Sequence, residues 1–308
     1  MSRRFMNKIA PPPLSPPRVG KPNAESQLRY TARMMQFHFA RRLHSVRALT
    51  PPRRFHAFGI GIGKSGTHSL AGIFRQHYRA AHQPQSQITI DRIDANWANR
   101  NSADMQTWLQ QRDQSLWLEM ESSPYLIEIV PALAAAFPKA KFVLLLRDCY
   151  TWLNSTINYS LAVRPTEKSV RHRALLYGQN GNTFTPADRI LETCGLYSIN
   201  AYLSAWARRN NFALEQIPSK RLLVIRTYEL RNSIPRLAQF LNFAPETLNA
   251  GNSHLYRTNK DFGILHQIDR AYLQDRVQQY CQPLMQHFFP HIQCADDALP
   301  DSPHEKKH

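Results

Sequence analysis

Large apolar residues fall in short blocks separated by longer, mixed stretches. Residues 55–62 alternate large and small side chains and read as a buried strand. A glycine-containing turn at 63–67 follows, then a helix from about 68 to 78. Residues 116–120 read as a short strand, and a helix is expected over 127–137, beyond Pro124. The run Lys-Phe-Val-Leu-Leu-Leu at 141–146 has the composition of a strand buried on both faces. Helices are expected at 152–161, 186–211 and 233–241, with a third strong strand at 221–226. Alternating strands and helices predict an α/β fold: three layers, α/β/α, around a mainly parallel central sheet.

The stretch 162–185 is polar, carries Gly178 and Gly181, and shows weak periodicity. A connection of that length without regular structure is often a lid or binding loop. Residues 1–23 are rich in Pro, Arg and Lys and are expected to be disordered. Residues 24–49, with Leu28, Met34, Met35, Phe37, Phe39, Leu43 and Val46 available for packing, predict a helix that Pro51 and Pro52 end. The expected organisation is therefore a basic arm over 1–54, one domain over 55–293 and a flexible tail over 294–308.

Charge sharpens the reading of the arm. Residues 1–54 hold twelve Arg or Lys against one acid, Glu25, which is +11 of the chain's +17. Such an arm is either simply solvated or a dock for a polyanion or an acidic membrane surface. No specific nucleic-acid partner is expected. Cys149, Cys194, Cys281 and Cys294 form no CxxC pair and accompany no zinc-spaced His cluster. Free thiols in a reducing, cytoplasmic setting and no bound metal are expected, with a Cys281–Cys294 bridge as the alternative. No apolar run reaches the length of a membrane span, and prolines stand where a secretory signal would be apolar.

The candidate chemistry begins at Gly59-Ile60-Gly61-Ile62-Gly63-Lys64-Ser65-Gly66-Thr67. Backbone N–H groups at a helix N-terminus bind anions, and glycine lets the backbone approach closely. Lys64 adds a mobile positive charge; Ser65, Thr67 and Ser69 add hydroxyls. The segment is P-loop-like without being a Walker A loop. That motif places a glycine four residues before the final Gly-Lys-Ser/Thr, and Phe58 stands there. A formal G-x-G-x-x-G match ends at Gly66, a weak signal alone.

Lys64-Ser65-Gly66-Thr67 after a buried strand resembles the phosphosulfate loop of the sulfotransferases that use 3′-phosphoadenosine-5′-phosphosulfate (PAPS). A second segment, KFVLLLRDCYTWLNS, strengthens the resemblance: a hydrophobic strand ends in Arg147-Asp148, and Ser155 lies eight residues beyond Arg147. In that family an Arg and a Ser so placed grip the 3′-phosphate, the planar guanidinium forking onto its oxygens. A third segment, RLLVIRTYELRNSIPRLAQFLNF, looks like the family's late strand and helix. The resemblance implies donor binding by Gly63, Lys64, Ser65, Gly66, Thr67, His68, Ser69, Arg147 and Ser155. It adds Arg257 and Lys260 of HLYRTNK as a closing basic loop, although the family's usual Arg-Lys-Gly is absent. Lys64 is expected to stabilise charge on the leaving phosphate.

The acceptor hydroxyl or amine also needs a general base. Glu121-Ser122-Ser123-Pro124 resembles a Glu-x-Ser/Thr-Pro segment of carbohydrate sulfotransferases, which nominates Glu121; Glu119 shares its strand face. Related bacterial sequences tend to carry a carboxylate near 82–85. Here His82 is flanked by Gln83 and Gln85, leaving His82, or Asp91 or Asp94 reaching in. The acceptor is expected to be a small molecule, glycan or lipid. Arg164, Lys168, Arg171, His172 and Arg173 in the lid stretch would suit an anionic one. Two other readings stand: a P-loop kinase using Mg-ATP, and a polyanion-binding member of the fold weakened in catalysis.

Overall fold

The computed structural model describes residues 51–178, 182–254 and 261–299. The expected arm helix at 24–49 lies outside them, as do residues 1–50 and 300–308. Five strands form one parallel sheet in the order β2-β3-β1-β4-β5: β1 Ala57–Ile60, β2 Ala80–His82, β3 Met120–Ser122, β4 Lys141–Leu146 and β5 Leu222–Arg226. Between them run α1 Thr67–Phe74, α2 Ser86–Ala95, α3 Ala103–Leu116, α4 Val130–Ala136, α5 Cys149–Ala162, α6 Glu167–Tyr177, α7 Arg189–Thr193 and α8 Ile199–Gln216. After β5 come α9 Ile234–Leu241, α10 Arg270–Phe288 and α11 Ala295–Ala298.

The apolar alternation of β4 explains the three layers. Val143 and Leu145 face one core with Leu70, Phe74, Leu237 and Leu241, from α1 and α9. Phe142, Leu144 and Leu146 face the other, with Leu133, Leu153, Trp206 and Val277 from α4, α5, α8 and α10. A strand buried on both faces reads as a continuous apolar run, and this one does.

Three of the expected elements differ in the structure. The strand expected at 116–120 lies at Met120–Ser122. Helix α3 runs to Leu116, and Trp117, at φ 46°, closes it by bonding its N–H to the Asp113 carbonyl. The helix expected over 186–211 is broken at Gly195 (φ 66°) into α7 and α8. Ser198 starts α8 by accepting the Ala201 N–H at 3.3 Å. The stretch 162–185 contains a regular helix, α6, which buries only His172, Leu176 and Tyr177, too few for a clear apolar period. Cys281 and Cys294 are not bridged, and all four cysteines are free thiols.

The chain enters the sheet through a basic clasp at the strands' amino ends. Arg53 pairs with Asp113 at 2.6 Å and lies over the Trp117 ring. Arg54 pairs with Glu119 at 3.0 Å and lies over the Tyr78 ring. Burial works against the charge of Glu119, yet its bonds from Arg54 and Arg79 hold its carboxyl below the usual range. Glu119 is thus committed to the clasp.

Leu144 is fully buried at the centre of the sheet. Leu144→Ala should lower stability by about 2–5 kcal/mol, the range for a large-to-small change in a packed core. Urea unfolding measures it; a loss below about 1 kcal/mol would contradict the two-faced burial of β4.

Candidate functional site

The chain winds from β1 out to β2, returns through β3, and crosses over β1 to β4. In open parallel sheets the crevice at such a reversal, at the strands' carboxyl ends, is where ligands bind. The loop 61–67 leaves β1 at that point.

The loop's backbone is specialised. Gly61 has φ 152°, and a Cβ there would stand 2.7 Å from the Leu145 carbonyl. Gly66, at φ 98°, starts α1 in the left-handed region, and no side chain caps that helix. Lys64 is also left-handed, at φ 72°. Alternation of this kind makes a concave array of N–H groups, which binds anions.

The loop's carbonyls find donors inside the protein. Ile62 accepts the Ser65 N–H at 3.1 Å, and Gly66 accepts the Leu70 N–H at 3.1 Å. Gly63 accepts the Trp152 indole N–H at 2.8 Å. Lys64 accepts Arg147 Nη1 at 3.1 Å. Ser65 accepts the Thr227 hydroxyl at 2.7 Å, and Thr67 accepts the Ser122 hydroxyl at 2.7 Å. Six consecutive carbonyls are therefore bonded within the protein. The Ser65 hydroxyl is buried with no hydrogen-bond partner among the described residues, as expected of a donor placed for a ligand.

Two cations converge here. Arg147 ends β4, its Nε bonded to the Thr151 hydroxyl at 2.9 Å. Thr151 in turn donates its backbone N–H and its hydroxyl to Asp148, the N-cap of α5. Burial pushes the Arg147 pKa down, with Asp148 pulling the other way. Lys64 is half-buried, its Nζ 4.7 Å from the centre of the Tyr159 ring. Burial lowers its pKa, and the nearby Arg147 charge lowers it further. Residues 147, 151, 155 and 159 recur at the helical spacing of four, so Ser155 shares the α5 face that Thr151 and Tyr159 present to the loop. Arg257 and Lys260 lie outside the described residues. The chain resumes at Asp261, bonded to Asn154 and Asn158, close to Ser155 along α5.

The base candidates separate. His82, at the end of β2, reaches α1: its Nε2 lies 3.2 Å from the Thr67 hydroxyl, and its ring meets His68 edge-on at 4.8 Å. Glu121 goes elsewhere. Ser122 uses the face of β3 toward α1, so Glu121 uses the opposite one, where Arg112 of α3 takes both its oxygens at 2.6 and 2.7 Å. Asp91 pairs with Lys168 and Arg171, and Asp94 with His172 at 2.7 Å. These pairs join α2 to α6 and engage three of the basic residues expected to meet an anionic acceptor. Among the described residues no group of three or more His, Cys, Asp or Glu forms a metal site, and no helix is long and apolar enough to cross a membrane.

Several contributors escaped the sequence reading. Thr151, Trp152 and Tyr159 lie inside or just past the KFVLLLRDCYTWLNS segment, and helical spacing from Arg147 would have found Thr151 and Tyr159. Thr227 lies inside the late-strand segment. Nothing in the sequence marks Arg112.

A family model described as a sulfotransferase domain matches residues 56–247. No curated protein matches the chain. Among solved structures it is similar to a sulfotransferase from Alicyclobacillus acidocaldarius, at 14% identity, covering 76% of this chain and 92% of that one with a TM-score of 0.40. It is also similar to sulfotransferase STF9 from Mycobacterium avium, at 12% identity, covering 80% and 81% of the two chains with a TM-score of 0.47. The family match takes in more than half of the chain, including the loop, His82, Arg147 and Ser155, and on that ground the chain belongs to the sulfotransferase domain family.

Proposed function

We propose that the chain transfers a sulfuryl group from PAPS to a hydroxyl, or amine, of a small-molecule, carbohydrate or lipid acceptor. The observation that carries this reading is the meeting of Lys64 and Arg147 at a loop whose carbonyls are bonded from Ile62 to Thr67. Two cations brought together in a half-buried place repel each other, and an anion between them would relieve that repulsion. A donor with a 5′-phosphosulfate and a 3′-phosphate supplies two anionic groups.

In this reading the N–H groups of 63, 64 and 66–69 and the hydroxyls of Ser65, Thr67 and Ser69 hold the phosphosulfate. Arg147 and Ser155 hold the 3′-phosphate, with Arg257 and Lys260 closing over the nucleotide. Lys64 meets the charge that grows on the leaving phosphate as the sulfur–oxygen bond breaks. His82 takes the acceptor's proton, because among the nominated bases its side chain reaches the first turn of α1. The arm suits an anionic surface. It joins the sheet at Arg53 and Arg54, at the amino ends of the strands.

The kinase reading is less well supported. Besides the failed Walker spacing, the carboxylate at the end of β4, Asp148, is occupied in capping α5.

Calorimetry should give binding of adenosine 3′,5′-bisphosphate and none of Mg-ATP; the reverse would favour the kinase. Lys64→Ala should lower PAPS-dependent transfer, found by a labelled-sulfate acceptor screen, by about 10²–10³-fold or more. Nucleotide binding without any transfer in the native protein would favour the weakened, polyanion-binding reading.

A further prediction concerns the pair of cations. Burial and the Arg147 charge depress the folded pKa of Lys64, so its protonated form costs the folded protein stability. That cost fades as pH rises through the folded value toward the unfolded one. Arg147→Ala should raise the Lys64 pKa, read from its side-chain ¹³Cε resonance, and weaken adenosine bisphosphate binding by more than about 1.5 kcal/mol. An unmoved Lys64 titration would show that the two charges are not coupled.

A further inference from the structure

The turn between β2 and α2 is strained. Gln83 and Gln85 stand on either side of Pro84, both left-handed at φ 51° and 57°. Neither is a residue that adopts this region readily, and such conformations persist only where the surroundings impose them. Two bonds do so. The Gln83 N–H donates to the Ser122 carbonyl at 3.0 Å. Arg112 Nη2 donates to the Pro84 carbonyl at 2.7 Å, and the same nitrogen donates to Glu121 Oε1 at 2.7 Å. Glu121 and Arg112 are both buried, and their pairing is two-pronged.

A buried ion pair is a poor device for stability alone, because removing both charges from water offsets most of their attraction. What this pair does that an apolar pair would not is aim a guanidinium at Pro84. We infer that Glu121 and Arg112 are positioning residues: Glu121 orients Arg112, Arg112 holds the turn, and the turn holds His82 against Thr67 of the loop. Adjacent residues of β3 share the task. Ser122 grips the same turn through its carbonyl and the loop through its hydroxyl. The distance between His82 and the loop is thus set from one strand, and Glu121 acts on the reaction without touching a substrate. This inference rests on the reading of His82 as the base.

The test uses the full chain. Glu121→Leu with Arg112→Met removes both charges together, which leaves no unpaired buried ion and is expected to fold. Arg112→Lys keeps a charge for Glu121 but loses the planar fork that reaches two acceptors at once. The first readout is calorimetry with adenosine 3′,5′-bisphosphate. The second is the His82 Hε1 resonance followed against pH, assigned as the signal lost in His82→Asn. Nucleotide affinity should stay within about threefold of the native value, a shift of well under 1 kcal/mol. The His82 resonance should move, and its titration midpoint should shift by about half a pH unit or more in the double variant, since a different set of neighbours then sets it. Arg112→Lys should shift it in the same direction and by less. A native His82 resonance and midpoint in a folded double variant would overturn the inference, and so would a loss of nucleotide binding equal to that of Arg147→Ala. Full transfer by His82→Asn, in contrast, would sink the base reading and leave the coupling between Arg112 and the turn to be judged from the resonance.

Discussion

The site depends on a constraint of the backbone. An anion cradle needs several N–H groups pointing one way, and the carbonyls of the same peptides must then point the other way and find donors. From Ile62 to Thr67 every carbonyl does so. Two bonds are local to the loop and the first turn of α1. The other four come from side chains on or beside different strands: Ser122 on β3, Arg147 at the end of β4, Trp152 just beyond it, and Thr227 at the end of β5. The loop's shape is therefore a property of the whole sheet, and any change in the spacing of those strands would move a donor away from its carbonyl.

That arrangement has an electrostatic consequence. Fixing Arg147 on the Lys64 carbonyl brings its charge close to the Lys64 side chain, where burial already disfavours a second cation. Asp148 pulls the Arg147 pKa upward but does not outweigh burial. Catalytic sites use such preorganised charge because it requires no rearrangement when negative charge develops.

A different set of contacts pairs carboxylates with basic residues. Glu119 anchors the entering chain at the amino ends of the strands. Glu121, two residues along, anchors the turn behind His82. Asp91 and Asp94 of α2 hold α6 through Lys168, Arg171 and His172. Four carboxylates that look alike as candidate bases thus serve as fasteners. Their roles differ because Glu119 stands just before β3, beside the entering chain, Glu121 stands within β3 against α3, and α6 lies against α2.

The hydrophobic pattern was enough to reveal the parallel α/β fold, since β4 is buried on both faces and its apolar run is unbroken. The loop and the Arg147–Ser155 pair were equally legible, because their geometry is local: a strand, its end and the first turns of the next helix. Where the pattern depended on partners, it misled. Helix α6 buries three residues against distant elements and left almost no periodic trace, and the strand carrying Glu119 and Glu121 was misplaced by the helix that runs up to Trp117. Which carboxylate is occupied and which histidine meets the loop depended on Arg54, Arg112, Lys168 and His172, tens of residues away or on another element. Sequence by itself determined that a glycine-rich strand-to-helix loop follows β1, because local backbone chemistry suffices for it. Only the tertiary structure decided which side chains stand beside that loop and which are tied up elsewhere, because a buried charge takes its role from whatever the fold places beside it.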